Sequence, residues 1–434
     1  MTPRQAALLS VNSCIKNGRY SNIELSTVIK KYKFEGLDKS FFTALFYGTI
    51  EKMITIDYCI EKISKRKTQE LDNMVLCLVR TGLYQILFMD RVPDSAACNE
   101  SVELAKRYCP KSSVGFVNAV LRTASRSKDK LFDMMKREKG LYSHSLISGV
   151  PLEILESWEN DYGKDKAKSL ASYFGNYSQS MTLRVNSLKI TRERMLDSLG
   201  NIASPSRHCE SAIKLSGSFP VEELYGFREG LFFLQDEASQ IAMSLINTDS
   251  VPEGGLVLDL CACPGGKSFS AAINLGGKCR IISRDLHENK LSLVMSGAER
   301  LGISDCMEIS AHDARVPDEA LLGKADAVIC DVPCSGLGVI AKKPDIKFKP
   351  LSETARLPEI QKAILDTAKN YVKKSGFIVY STCTLKAAEN EDIVNRFLEE
   401  NDDFCLDGEF GMKTLFPDET GTDGFFIAKI VRKV

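Results

Sequence analysis

The stretch Leu258-Asp259-Leu260-Cys261-Ala262-Cys263-Pro264-Gly265-Gly266-Lys267 reads as a buried strand that ends in a glycine-rich turn and opens a helix, SFSAAINL. Glycines in such a turn let the backbone approach a ligand closely, and the amino terminus of the helix favours negative charge. A phosphate loop shares the ending Gly266-Lys267-Ser268, but it needs a glycine five residues before Gly266, where Cys261 stands. Residues 261–267 are therefore expected to hold a nucleoside cofactor and not a triphosphate.

Downstream of Gln235 the pattern alternates between strand and helix. LVLDLCA, CRIISRD, CMEIS, ADAVICD and GFIVYS are short, β-rich apolar runs, most of them followed by a turn and a helical stretch. That is the sequence form of a parallel, doubly wound α/β sheet. FCL and GFFIAKIVRKV suggest a closing antiparallel pair. Ligands of such sheets lie outside the carboxyl ends of the strands. Asp285 ends CRIISRD, where an acid about 20 residues past the glycines can accept from both hydroxyls of a ribose. His312-Asp313-Ala314 follows the third strand, where a carboxylate can meet an adenine amino group. Asp331-Val332-Pro333-Cys334 and Tyr380-Ser381-Thr382-Cys383 end the next two strands. A lone strand-end Asp is usually solvated, and a lone cysteine is usually a small buried hydrophobe. Three acids and two cysteines along one edge, beside a cofactor turn, point to a site. Spacing brings Cys334 and Cys383 to that edge but does not rank them.

The front of the chain is different. Val75, Leu78, Val79, Gly82, Leu83, Ile86 and Leu87 repeat at three and four, one face of an amphipathic helix. Val92-Pro93-Asp94-Ser95 supplies a stop and a cap, and further stripes follow through Ala124. Residues 1–135 are expected to be all-helical, with a charged, irregular junction over 128–145. Residues 145–235 carry mixed signals, a helix over Leu152–Tyr162 and strand-like MTLRV and LFFL, and read as a small α+β connecting domain. Residues 236–434 hold the α/β sheet.

Composition is that of an ordinary soluble protein, with 44% hydrophobic and 26% charged residues over 434 positions. No apolar run approaches the ~18–20 residues that span a bilayer. MTPRQAALLSVNSCIKN is interrupted by Arg4 and Lys16 and lacks a small-residue cleavage site, so a cytoplasmic protein without signal peptide or anchor is expected. Its 14 cysteines include no Cys-x-x-Cys pair, so free thiols in a reducing compartment and no metal are expected. Lys and Arg (57) balance Asp and Glu (57), which leaves any nucleic acid to local basic patches. Ala341-Lys342-Lys343-Pro344-Asp345-Ile346-Lys347-Phe348-Lys349, four lysines around a Phe just after Cys334, is one candidate for phosphate contact and base stacking.

Together these residues resemble the RNA cytosine-C5 methyltransferase family, in the branch acting on bacterial 16S ribosomal RNA. The resemblance runs through QDEASQ (235–240), CACPGGK, DVPCSGLGV, YSTCTL with Glu389-Asn390-Glu391, and Asp423-Gly424-Phe425-Phe426, in family order. The family usually has Ala at positions 263 and 332 and Thr at 337. The front domain resembles the helical, RNA-binding NusB family in DRVPDSAACNESVELAKRY and VGFVNAVLR. The resemblance implies a Rossmann-like domain that uses S-adenosylmethionine, with Cys383 as nucleophile, Cys334 assisting release and Asp331 stabilising the adduct. It implies cofactor contacts from Cys261, Ala262, Cys263, Pro264, Gly265, Gly266, Lys267, Asp285, Asp313 and Asp331, and a 16S ribosomal RNA partner whose target cytosine is single-stranded or flipped out. Lys267 reads equally as a positioning group or as a solvated lysine at a helix start. Two rivals make different demands. A DNA cytosine-C5 methyltransferase would put its nucleophile at Cys334, ahead of a recognition domain. A non-enzymatic antitermination factor would explain the helical front but not the two cysteines.

Overall fold

Apolar stripes at helical spacing fold the first part of the chain. The computed structural model describes residues 1–177, 180–217 and 219–433, which divide into two compact units. The first comprises 1–177 with 340–351. Its helices are α1 (Pro3–Asn17), α2 (Ser21–Tyr32), α3 (Gly36–Glu51), α4 (Met53–Ser64), α5 (Asn73–Phe88), α6 (Asp94–Tyr108), α7 (Val114–Arg126), α8 (Lys128–Lys136), α9 (Gly140–Ser148), α10 (Leu152–Tyr162) and α11 (Lys164–Gly175). Phe42, Phe46, Leu78, Val79, Leu83 and Leu121 share one core. Caps start the helices where the sequence supplies them: Asp72 accepts from the N–H groups of Met74 and Val75 at the head of α5. The charged stretch 128–145, expected to be irregular, instead forms α8 and most of α9. Its charges lie outside, while Leu131, Met135 and Leu141 turn inward at helical spacing.

The lysine-rich segment after Cys334 also needs correction. Residues 340–351 belong to the helical unit, where Phe348 packs against its core. Lys347 is buried and donates to the carbonyls of Glu51 (3.0 Å) and Gly149 (3.0 Å), at the ends of α3 and α9. Unpaired carbonyls at helix ends need donors, and this ammonium supplies them. Burial pulls Lys347 down to about 8. Lys347 is therefore committed to the fold and not to a phosphate, while Phe348 is half-buried.

In the second unit a small antiparallel sheet has the order β2–β3–β1–β4, from β1 (Met181–Val185), β2 (Ala203–Pro205), β3 (Ala212–Leu215) and β4 (Phe232–Leu234). Leu183, Val185, Ile213 and Phe232 pack there against Met195 of α12 (Arg192–Leu199). After α13 (Glu237–Ser244) comes the main sheet. Its parallel strands are β5 (Leu256–Asp259), β6 (Arg280–Asp285), β7 (Met307–Ala311), β8 (Ala325–Asp331) and β9 (Val372–Thr382), in the order β7–β6–β5–β8–β9. β12 (Phe425–Arg432) closes the sheet antiparallel to β9, and it pairs in turn with β10 (Phe404–Leu406) and β11 (Met412–Leu415). Val257, Ile281, Ala327 and Val379 face α13, α14 (Gly266–Asn274) and α15 (Leu291–Leu301). Their neighbours Leu258, Ile282, Val328 and Ile378 face α16 (Leu357–Tyr371) and α17 (Glu391–Glu400). The chain runs outward from β5 through β6 to β7, then returns to β8 on β5's other side. The crevice where strand order reverses, between β5 and β8, is where such sheets bind ligands. Among the described residues no helix is long and apolar enough to cross a membrane.

Candidate active site

β5 ends on Asp259, which is fully buried and accepts from the Ser268 hydroxyl (2.6 Å) and the Cys261 N–H (3.3 Å). Burial pushes its carboxyl up to about 7, against the lowering effect of the Ser268 bond. The chain then turns through Gly265 at φ 112°, where a side chain would put its Cβ 2.3 Å from the Phe269 ring. Only glycine fits that backbone. Gln235 braces the turn: its amide donates to the Gly266 carbonyl (3.0 Å) and its oxygen accepts from Ser270 (2.7 Å). Pro264 and Gly265 lead straight into α14. Cys261 and Cys263 are half-buried; burial raises both thiols, Cys263 to about 12. Ala262 is buried, and its N–H bonds the Arg284 carbonyl on β6 (2.8 Å).

Asp285, at the end of β6, faces this turn. Its Oδ2 accepts from the Cys263 N–H (3.1 Å) and its Oδ1 from the His287 N–H (3.0 Å). The His312 N–H bonds the Asp285 carbonyl (3.0 Å), bringing the β7 turn alongside. Asp313 lies two residues past β7 and is gripped at both oxygens by Arg315 (3.0 and 2.7 Å). Those bonds hold its carboxyl down at about 2.

The strand register brings the remaining residues together. β8 and β9 pair in parallel with Asp331 opposite Ser381, so the turns beyond them leave the sheet side by side. The sulfurs of Cys334 and Cys383 are 3.3 Å apart, and both cysteines are free thiols. The bond to Cys383, then burial, raise the Cys334 thiol well above its ordinary range. Asp331 holds the Lys267 ammonium (2.6 Å) on Oδ2 and the Ser381 hydroxyl (2.9 Å) on Oδ1. Lys267 is not the solvated lysine of a helix start, since its side chain is only 13% exposed. Burial alone would lower it, but Asp331 and then Cys383 prevail and raise it, so it stays an ammonium. Its Nζ also lies 5.3 Å from the centre of the Phe425 ring on β12.

Glu389 and Asn390 were legible only as part of a family block, with no role. The structure makes them the brace of both cysteine turns. Glu389 is fully buried; its Oε2 accepts from the Ser335 N–H (2.9 Å), next to Cys334, and from Gln361 (3.0 Å). Asn390 accepts from the Thr382 hydroxyl (2.5 Å) and donates to the Thr384 carbonyl (3.0 Å), so it holds both neighbours of Cys383. Gly338 donates to the Cys383 carbonyl (3.0 Å) and accepts from the Gly424 N–H (3.0 Å). A Cβ on Gly338 would stand 1.9 Å from the Gly424 oxygen and 2.9 Å from that of Cys383. No spacing rule marks such partners, because each is defined by a contact across the fold.

Three families match successive parts of the chain. Residues 1–126 match the NusB family, 151–222 the ferredoxin-like domain of RsmF/B-like methyltransferases, and 248–431 the 16S rRNA methyltransferase RsmB/F family. The probable ribosomal RNA small subunit methyltransferase B of Bacillus subtilis is 33% identical, over 99% of this chain and 98% of its own. The chain belongs to the 16S rRNA methyltransferase RsmB/F family. It is an RNA methyltransferase. The Synechocystis protein of the same designation is 30% identical over 99% of both chains. Among solved structures, the fold of this RsmB/F-family chain is similar to that of PH0851 (TM-score 0.79, 22% identity, 99% of both chains). It is also similar to that of NSun6 from Pyrococcus horikoshii with SFG (TM-score 0.57, 22% identity, 66% of this chain and 99% of that one).

Proposed function

We propose that this RsmB/F-family enzyme transfers the methyl group of S-adenosylmethionine to C5 of one cytosine in 16S ribosomal RNA, through a covalent bond from Cys383 to C6. The observation that carries this reading is the pair of free thiols 3.3 Å apart beside the Lys267–Asp331 ion pair, at the ends of neighbouring strands. C5 of cytosine is too weak a nucleophile to take a methyl group unaided. Cys383 adds to C6, and the C5=C6 π pair moves to C5, which becomes nucleophilic. C5 then attacks the sulfonium methyl, and the pair of the broken S–CH3 bond stays on sulfur. Finally the C5 proton is removed with help from Cys334, C5=C6 re-forms, and the Cys383–C6 bond breaks with its pair returning to sulfur.

The electrostatics support Cys383 as the attacking group. Either sulfur can donate in the Cys334–Cys383 bond, and that bond raises the Cys334 thiol. A neighbouring ammonium favours thiolate, and Lys267 and Cys383 attract one another. Asp331 is assigned to N3 or the exocyclic amine of the base, with Lys267 orienting it.

The donor set fits an adenosyl group. Asp285 offers a carboxylate to ribose hydroxyls beside the turn formed by Cys261, Ala262, Cys263, Pro264, Gly265, Gly266 and Lys267, and Asp313 reaches for the adenine amine one strand further on. A base stacked in a duplex cannot present both C6 and C5, so the target is single-stranded or flipped out. Residues 1–135 are assigned to RNA binding, 145–235 to connection and 236–434 to transfer, in line with the separate family matches. A ribosomal RNA substrate fits a cytoplasmic enzyme.

Cys383→Ala should abolish methylation and any protein–RNA adduct, whereas Cys334→Ala should accumulate adduct and release it slowly. A denaturing gel with labelled RNA reads this directly. Adduct from the first variant and none from the second would reverse the two roles.

A further inference from the structure

The second unit carries a surface cavity of about 730 Å³ between the small sheet and the carboxyl ends of α13 and α14. Asn274, the last residue of α14, lines it. α14 begins at the glycine turn and rises about 1.5 Å per residue, so the cavity lies at the opposite end of that helix from the cofactor turn.

Arg184 of β1 projects into this space. It is only 3% exposed, yet among the described residues its guanidinium makes a single hydrogen bond, to Oδ1 of Asn274 (2.5 Å), and its buried Nε has no acceptor. No ion pair reaches it among the described residues, and burial pulls its acidity toward neutrality, to about 10. A buried guanidinium with open donor capacity is costly unless something anionic completes it. The amino-terminal turn of α12, capped by Thr191, also lines the cavity, so the positive end of a helix borders the same space. Arg192, first residue of that helix, also lines it; its Nε makes no hydrogen bond and is ion-paired with Glu193 at 3.5 Å. Glu193 and Glu210 stand on the lining, and the carboxyl ends of α13 and α14 add negative partial charge. That balance admits a singly charged anion better than a doubly charged one.

We propose that this cavity binds one phosphodiester of the RNA substrate, remote from the target cytosine, through Arg184 and the amino-terminal turn of α12. The inference rests on RNA being the substrate and not on the roles given to Cys383 and Cys334. A diester carries one negative charge, and the many phosphates of ribosomal RNA place such a group within reach of a surface cavity. Inorganic phosphate presents similar oxygens with more charge.

The test uses the full-length protein and a 16S ribosomal RNA fragment that it methylates. Arg184→Gln and Arg192→Gln are each expected to weaken RNA binding three- to tenfold and to raise KM for RNA with kcat unchanged. Each lost phosphate contact should also flatten the plot of log affinity against log salt by about 0.7–0.9. Arg184→Lys should recover most of the slope, which a purely structural role would not require. If Arg184→Gln does not fold, Arg192→Gln on the cavity wall decides the matter. Wild-type slopes and KM in the folded variants would overturn the proposal. So would inorganic phosphate raising the melting temperature of the wild type, but not of Arg192→Gln, while the RNA slope stayed the same, since the site would then serve free phosphate.

Discussion

Asp259 shows how a single side chain can set both a site and its cost. Fully buried at the end of the central strand, it holds Ser268 and the Cys261 N–H and so shapes the start of the cofactor turn. Its folded-state carboxyl titrates near 7, above the ordinary 3.8, so the unfolded chain loses this proton first. The folded state is therefore favoured in full below about pH 4, and loses stability up to about pH 7 at roughly 1.4 kcal/mol per pH unit. Asp259→Asn should remove that slope, so that melting curves gain on the wild type between pH 4 and 7; parallel curves would contradict the assignment. Lys267 is the second decisive residue. Lys267→Gln should move the rising limb of the pH–rate profile upward, because the cation that favours the Cys383 thiolate is gone. An unmoved limb with the same loss of rate would leave Lys267 only a structural part.

At the scale of elements, the site is made by two parallel strands and the helix start that ties their turns together. The in-register pairing of β8 with β9 makes Cys334 and Cys383 neighbours, and Glu389 and Asn390 at the head of α17 hold the two turns from behind. Glu389→Ala would strand the buried Ser335 N–H, a loss of about 1–3 kcal/mol. Methyl transfer should fall at least tenfold with donor binding intact, and Glu389→Gln, which keeps an oxygen at that place, should restore part of the rate. Equal losses in both variants would argue against a positioning role. The strands themselves were legible in the sequence, since β-rich runs between turns mark them, and Asp285, Asp313, Asp331 and both cysteines were legible as strand-end residues. The brace was not: Glu389 sits 54 residues from its partner Ser335, and only packing makes them adjacent. The charged stretch 128–145 misled for a related reason, because short amphipathic helices on a surface look polar until the inward residues are known.

At the scale of the molecule, the chain divides in a way that sequence order hides, because residues 340–351 complete the helical unit although they follow Cys334. Lys347→Met should leave the carbonyls of Glu51 and Gly149 without a donor and lower stability by about 1–3 kcal/mol in denaturant titration. Unchanged stability would mean that water replaces the ammonium without loss. The amino-acid order by itself determined the helical front, the doubly wound sheet with its antiparallel closure, the glycine turn and the family, because hydrophobic period and turn chemistry are local and the motifs are contiguous. Only the tertiary structure decided that Lys267 is a half-buried partner of Asp331, that two thiols 49 residues apart meet at 3.3 Å, and that Lys347 of the lysine run is buried in the helical unit. Burial, ion pairing and strand register are relations between distant residues, and they exist only once the chain has closed on itself.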